Sequence, residues 1–294
     1  MPILQRHKPR PVPIPRTVPE NLAAGELAAA YASTKAAFGV PWMGVVAMAF
    51  ASFPGFYRAL WGLYDPIVRS TAFRSACTEL RDCAEREAAR LDQAPLARDL
   101  EKAGYTDADL AAIRKVIEVF AAGNMPYLLM ATSARLLLEG HEVGEASPGD
   151  LTQAGAPPVL WPAGQALTLV EPHHQDASGR ALYEDIKATL GLPFLNTDYR
   201  ALARWPSYFH LAWQGLQPQV GQPLYSEIVT AVHDRATELA MALPNPNDVR
   251  SETVRAAAAA EGASGEVLAV VHLFQWLLPG LVTNVAVFQG QLEN

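Results

Sequence analysis

Asp198 stands in Asn196-Thr197-Asp198, a polar triplet just ahead of the helix-forming stretch Tyr199 to Ala203. A carboxylate there can take a proton from water or attack carbon itself. It can equally act as a helix cap, bonding the first free amides. A second copy of the surrounding sequence separates these readings. Residues 31–61 and 183–213 align without a gap at an offset of 152. Nine positions are identical: Tyr31/Tyr183, Lys35/Lys187, Ala36/Ala188, Gly39/Gly191, Pro41/Pro193, Ala49/Ala201, Ala51/Ala203, Pro54/Pro206 and Trp61/Trp213. Chance matching would give about two. Where one copy has Asn196-Thr197-Asp198, the other has Gly44-Val45-Val46. A cap required by the fold would be needed twice, so an acid at 198 opposite Val46 points to a site.

Asn124 is the second group of interest, in Gly123-Asn124-Met125-Pro126. Its amide offers both a donor and an acceptor, so it could hold a water while Asp198 takes the proton. The competing reading makes it the boundary between two helices. Trp42, beside Pro41, is either a core aromatic or a pocket wall with an indole donor; Phe274 carries a weaker version of the same signal. Cys77 and Cys83, six apart on an expected helix, face different sides and read as inert thiols. His173-His174 read as exposed loop residues, since adjacent rings point apart more easily than they share a metal. There is no H-E-x-x-H, no Gly-rich phosphate loop and no G-x-S-x-G. Nucleotide chemistry and the common esterase route therefore have no sequence support.

The elements that must hold these residues read as helix after helix. Leu22 to Phe38 is Ala-rich and stops at Gly39 with Pro41 beyond. Thr71 to Leu91 has high helix propensity, and Thr106-Asp107-Ala108-Asp109 offers caps for a helix to about Phe120. A second helix, Asn124 to Gly140, is expected after a break at Gly123-Asn124-Met125-Pro126. Glu145 to Gln175 is rich in Pro and Gly with little periodicity, the mark of a linker. Val116 to Leu138 also maps onto Val267 to Gln289 at an offset of 151, through Val116/Val267, Val119/Val270 and Thr132/Thr283. The expected organisation is an extended Pro-rich arm (1–20), a first helical repeat (21–144), a linker (145–175) and a second repeat (176–294). This is an all-α pseudo-dimer whose natural pocket is the cleft between halves.

Composition narrows the partners. Only 18% of the 294 residues are charged and half are hydrophobic, so much helix surface must be covered, which is compatible with a homo-oligomer. A net charge of −7 argues against a nucleic-acid partner. The one basic cluster, Arg6, Lys8, Arg10 and Arg16, is interleaved with prolines and reads as an arm docked on the body. Two cysteines imply no disulfide framework, and the cytoplasm is the default compartment. Val267 to Gln291 lacks Asp, Glu, Lys and Arg, but His272, Gln275 and Pro279-Gly280 favour a buried core helix over a membrane span.

Three motifs in order carry a family resemblance: Val40-Pro41-Trp42 with Ser52-Phe53-Pro54-Gly55-Phe56; Gly123-Asn124 with Tyr127-Leu128-Leu129; and Asp198-Tyr199-Arg200-Ala201-Leu202-Ala203-Arg204-Trp205-Pro206. From about residue 20 to 290 the chain resembles the group I, or DehI-type, 2-haloacid dehalogenases. The resemblance implies two similar helical halves of the kind likened to alkylhydroperoxidase-D proteins. It also implies cofactor-free hydrolysis of short 2-halocarboxylic acids to 2-hydroxy acids. Asp198 would be the base that activates water for direct, inverting attack on C2, and Asn124 its water-positioning partner. Trp42, Val45, Thr197 and Phe274 would line the substrate site. Two positions depart from the family pattern: Val45 replaces an aromatic, and Arg74 falls where an acid is expected. They motivate a rival reading, a non-catalytic helical protein that binds small acids. A second rival makes Asp198 a nucleophile that forms an ester.

Overall fold

The computed structural model describes residues 3–144, 151–155, 161–162 and 165–293. Among these the architecture is all-α, with twelve helices and, in place of strands, one isolated antiparallel bridge between Ser70 and Gln153. The helices are α1 (Gly25–Phe38), α2 (Val45–Phe50), α3 (Pro54–Tyr64), α4 (Thr71–Ala88), α5 (Ala97–Lys102), α6 (Asp107–Leu138), α7 (Ala177–Leu190), α8 (Thr197–Leu202), α9 (Pro206–Val220), α10 (Pro223–Ala242), α11 (Ser251–Ala260) and α12 (Ser264–Gly290).

α6 and α12 pack against each other at the centre, with α4 and α10 against both. Their sequences dictate that place. From Val119 onward nearly every residue of α6 is buried, whichever way it points, as is almost all of α12 after Val270. A helix apolar all round has nowhere stable to sit except inside. α12 is also long and apolar enough to cross a membrane, yet 89% of its most apolar 18-residue window is buried within the fold.

α6 starts at a capping box: Thr106 Oγ1 accepts from the Asp109 amide at 3.2 Å, and the Asp109 carboxylate accepts from the Thr106 amide at 2.9 Å. It then runs unbroken for 32 residues, so the expected break at Gly123-Asn124-Met125-Pro126 does not occur. Proline removes one backbone hydrogen bond, but here the cost is outweighed by burial of the apolar segment on both sides of Pro126. Asn124 is therefore an interior helical residue and no boundary.

Two matched turns set up the short helices. Gly39 and Gly191 end α1 and α7 in the left-handed conformation, at φ 68° and 69°. Gly44 and Asn196 precede α2 and α8 with extended backbone, and Pro54 and Pro206 open α3 and α9 at the first turn. Proline restricts the residue before it, so Trp205 is non-helical (φ −118°, ψ 79°) and α8 stops after six residues.

The Pro-rich arm is docked. Leu4 is fully buried, the Val18 amide donates to Met48 O at 2.9 Å, and Arg135 holds Gln5 O at 3.0 Å. Residues 151–155 of the linker run beside the start of α4, where the Thr71 amide donates to Thr152 O and the Ala154 amide to Arg69 O. Prolines 148, 157 and 158 of that linker lie outside the described residues.

Candidate active site

Asp198 is the second residue of α8, behind Asn196 at the N-cap and Thr197 at the first helical position. The cap reading therefore fails in its simple form, because the capping place belongs to Asn196, whose side chain makes no capping bond. The Asp198 side chain turns instead onto α6, where Asn124 Nδ2 donates to its Oδ1 at 2.6 Å. Both residues are buried, Asp198 at 2% exposure and Asn124 at 4%. The pair joins positions 74 apart in sequence, one on each side of the linker.

Burial sets the electrostatics of this carboxylate. Taking the charged form out of water pushes its pKa up to about 6. The Asn124 donor, its own backbone amide and the Arg200 guanidinium oppose that rise without cancelling it. Arg200 is itself held by Glu171, Nη1 to Oε1 at 2.7 Å, which dilutes its influence. Near neutrality Asp198 is thus ionised yet close enough to its pKa to accept a proton readily.

Around the pair, Gly123 is what admits Trp42. A Cβ at 123 would stand 2.7 Å from both the indole Cη2 and Val40 Cγ1, so only hydrogen fits where Trp42 crosses α6. The Trp42 ring also packs on Phe120 at 4.7 Å between centroids, which makes it a buried aromatic beside Asn124. Val45 and Thr197 occupy the same position in α2 and α8, the first helical residue; Val45 is half-buried and Thr197 buried. Phe274 is fully buried on α12, against Phe50 at 6.0 Å and Phe194 at 5.9 Å.

Three contributors escaped the sequence reading as working parts. Tyr127 lies one turn beyond Asn124; its hydroxyl accepts from the Gly44 amide at 2.9 Å and donates to Trp42 O at 3.4 Å. It fixes the entry to α2, and its i+3 spacing from Asn124 was a usable signal. Gly123 and Arg200 matter through space and charge, which sequence spacing does not display. The remaining groups go elsewhere. Burial raises the thiol pKa of Cys77 and Cys83, and His173 and His174 are exposed on a short 3₁₀ turn. Arg74 donates to Gly155 O and lines a cavity beside α4 that contains neither Asn124 nor Asp198. Among the described residues no group of three or more His, Cys, Asp or Glu is placed to hold a metal.

No family model matches the chain. It is 44% identical to an (R)-2-haloacid dehalogenase of Rhizobium sp. (strain NHG3), over 85% of this chain and 96% of that one. Against the (R)-2-haloacid dehalogenase of Pseudomonas putida it is 35% identical, over 96% and 95%. The solved complex structure of a D-2-haloacid dehalogenase with L-LA superposes with a TM-score of 0.89 at 34% identity, covering 99% of this chain and all of that one. With a shared fold over the full length, and identity well above what fold alone requires, the chain belongs to the family of 2-haloacid dehalogenases.

Proposed function

We propose that the protein is a group I, DehI-type enzyme that hydrolyses short (R)-2-haloalkanoic acids to 2-hydroxy acids, with Asp198 as general base and Asn124 as its partner. The observation that carries this is the buried 2.6 Å Asn124–Asp198 bond. The amide holds one carboxylate oxygen by its N–H, leaving the other oxygen and its own carbonyl as acceptors. A water donating to both is fixed with a lone pair directed outward, toward C2 of a bound substrate. Attack opposite the halogen releases halide and inverts the carbon, while Asp198 takes the proton. A base so held supplies roughly 10²–10⁴-fold of the rate. Thr197 and Val45 open their helices, so their backbone amides are available to the substrate carboxylate. Trp42, Val45, Thr197 and Phe274 form the walls in this reading, and α6 and α8 bring the two halves of the site together. No metal or organic group is required by the reaction.

The test is halide release from (R)- and (S)-2-chloropropionate. The expected result is release from the (R) acid with (S)-lactate as product, abolished in Asp198→Asn with helicity retained. No halide from either acid would end the assignment. A single turnover in ¹⁸O-water separates the two mechanisms: label in the product supports direct attack, and label in the protein an ester on Asp198.

A further inference from the structure

Two cavities, each about 210–220 Å³, stand at equivalent sequence positions. The first is lined in part by Ala37, Phe38, Val68, Phe73 and Arg74; the second has Thr189, Leu190, Val220, Tyr225 and Ser226, each 152 further on. Their cations are met differently. In the first, Arg74 donates to Gly155 O, and Arg81 is neutralised by a bidentate pair with Glu118, 2.7 Å for each bond, and by Glu85. In the second, the arm delivers Arg6, and the lining includes no acid.

Arg6 has no ion-pair partner among the described residues, and its Nε is buried without a hydrogen bond. Its guanidinium lies 5.8 Å from the Trp276 ring, with Nη2 4.0 Å from where a Gly280 side chain would begin. Cation–π contact offsets part of the desolvation but supplies no hydrogen-bond acceptor. A second orphan lines the same cavity: Asn196 Oδ1, an acceptor in a residue only 5% exposed. An unpaired cationic donor and an unpaired neutral acceptor, in a space of this size walled by Leu192, Trp276 and Leu281, describe one kind of ligand. It has a carboxylate, a hydroxyl and a short apolar chain.

We infer that this cavity is a second anion site for a small 2-hydroxycarboxylate, with the carboxylate on Arg6 and the hydroxyl on Asn196. Asp198 and Asn124 are not among its lining residues, so it is separate from the catalytic pair. The identity of the ligand rests on the dehalogenase reading, because 2-hydroxycarboxylates are that reaction's products; the existence of an anion site does not.

Calorimetric titration with sodium lactate, paired with crystals soaked in it, tests the inference. Wild type is expected to bind two lactates per chain, the second with its carboxylate in hydrogen-bond reach of Arg6. Arg6→Met should bind one. Ser226→Asp, an exposed substitution that gives Arg6 an internal acid, should also bind one and guards against misfolding of the arm variant. Propionate, lacking the hydroxyl, should bind the second site at least several-fold more weakly. Two lactates bound in both variants, or no lactate beside Arg6 in wild type, would overturn the site. Loss of halide release alone would bear on the catalytic reading and leave this one standing.

Discussion

Asp198 is held in a state that disfavours its own charge. Its pKa, about 6 against an ordinary 3.8, means that the folded protein binds a proton more tightly than the unfolded chain between those values. The sign follows: for this group, stability is greatest below about pH 4 and falls as pH rises through about 6, by at most roughly 3 kcal/mol. On the proposed mechanism activity runs the opposite way, because only the carboxylate can take a proton. We expect kcat/KM to climb with pH through an inflection near 6. Asp198→Asn should be inactive yet more heat-resistant than wild type at pH 8, with the gain shrinking toward pH 4. Thermal melts of both proteins across that range check this, and an Asn variant less stable at pH 8 would contradict the burial argument. Asn124→Ala removes the donor that favours the charged form, so the inflection should move upward as the rate falls.

Gly123 sets the depth at which Trp42 crosses α6. Gly123→Ala places a methyl 2.7 Å from both the indole and Val40, so one of them must move. The expected cost is about 1–3 kcal/mol for overpacking, measured by denaturant unfolding, with activity lowered by displacement of Trp42 beside Asn124. Wild-type stability and rate in this variant would show that the indole has room to yield. How much of this element-scale picture was legible beforehand differs by feature. The helical stops at Gly39 and Gly191 and the cap at Thr106 were readable because they depend on local backbone chemistry. The passage of α6 through Pro126 was not, since local propensity argues for a break and only tertiary burial overrides it. At the site, the contrast between Asp198 and Val46 singled out the acid. Asn124 was a candidate partner through the donor and acceptor of its amide, and the resemblance gave it the same role; the contact itself, across 74 residues, leaves no local trace.

The whole molecule is tied together by α6, α12 and an arm that lies over them. Arg135, 2% exposed, connects all three: Nη1 donates to Gln5 O at 3.0 Å and to Gln275 Oε1 at 2.6 Å, and Nε pairs with Glu139 at 2.7 Å. Arg135→Ala leaves the buried Gln275 Oε1 unmet and should destabilise the fold by about 1–3 kcal/mol. The arm should also be cut sooner in limited proteolysis, while an unchanged cleavage rate would mean that Leu4 and the Val18–Met48 bond suffice to hold it. The placement of the reacting groups has a larger consequence. On the proposed mechanism the amide comes from a helix made early in the chain and the acid from one made late, so a nascent chain has no working centre until the segment carrying residue 198 has emerged and seated against α6. Catalysis is therefore a readout of assembly. Loosening at either end of the protein will silence turnover while most of the helix signal persists, and recovered activity will mark the moment at which a refolding chain closes upon itself.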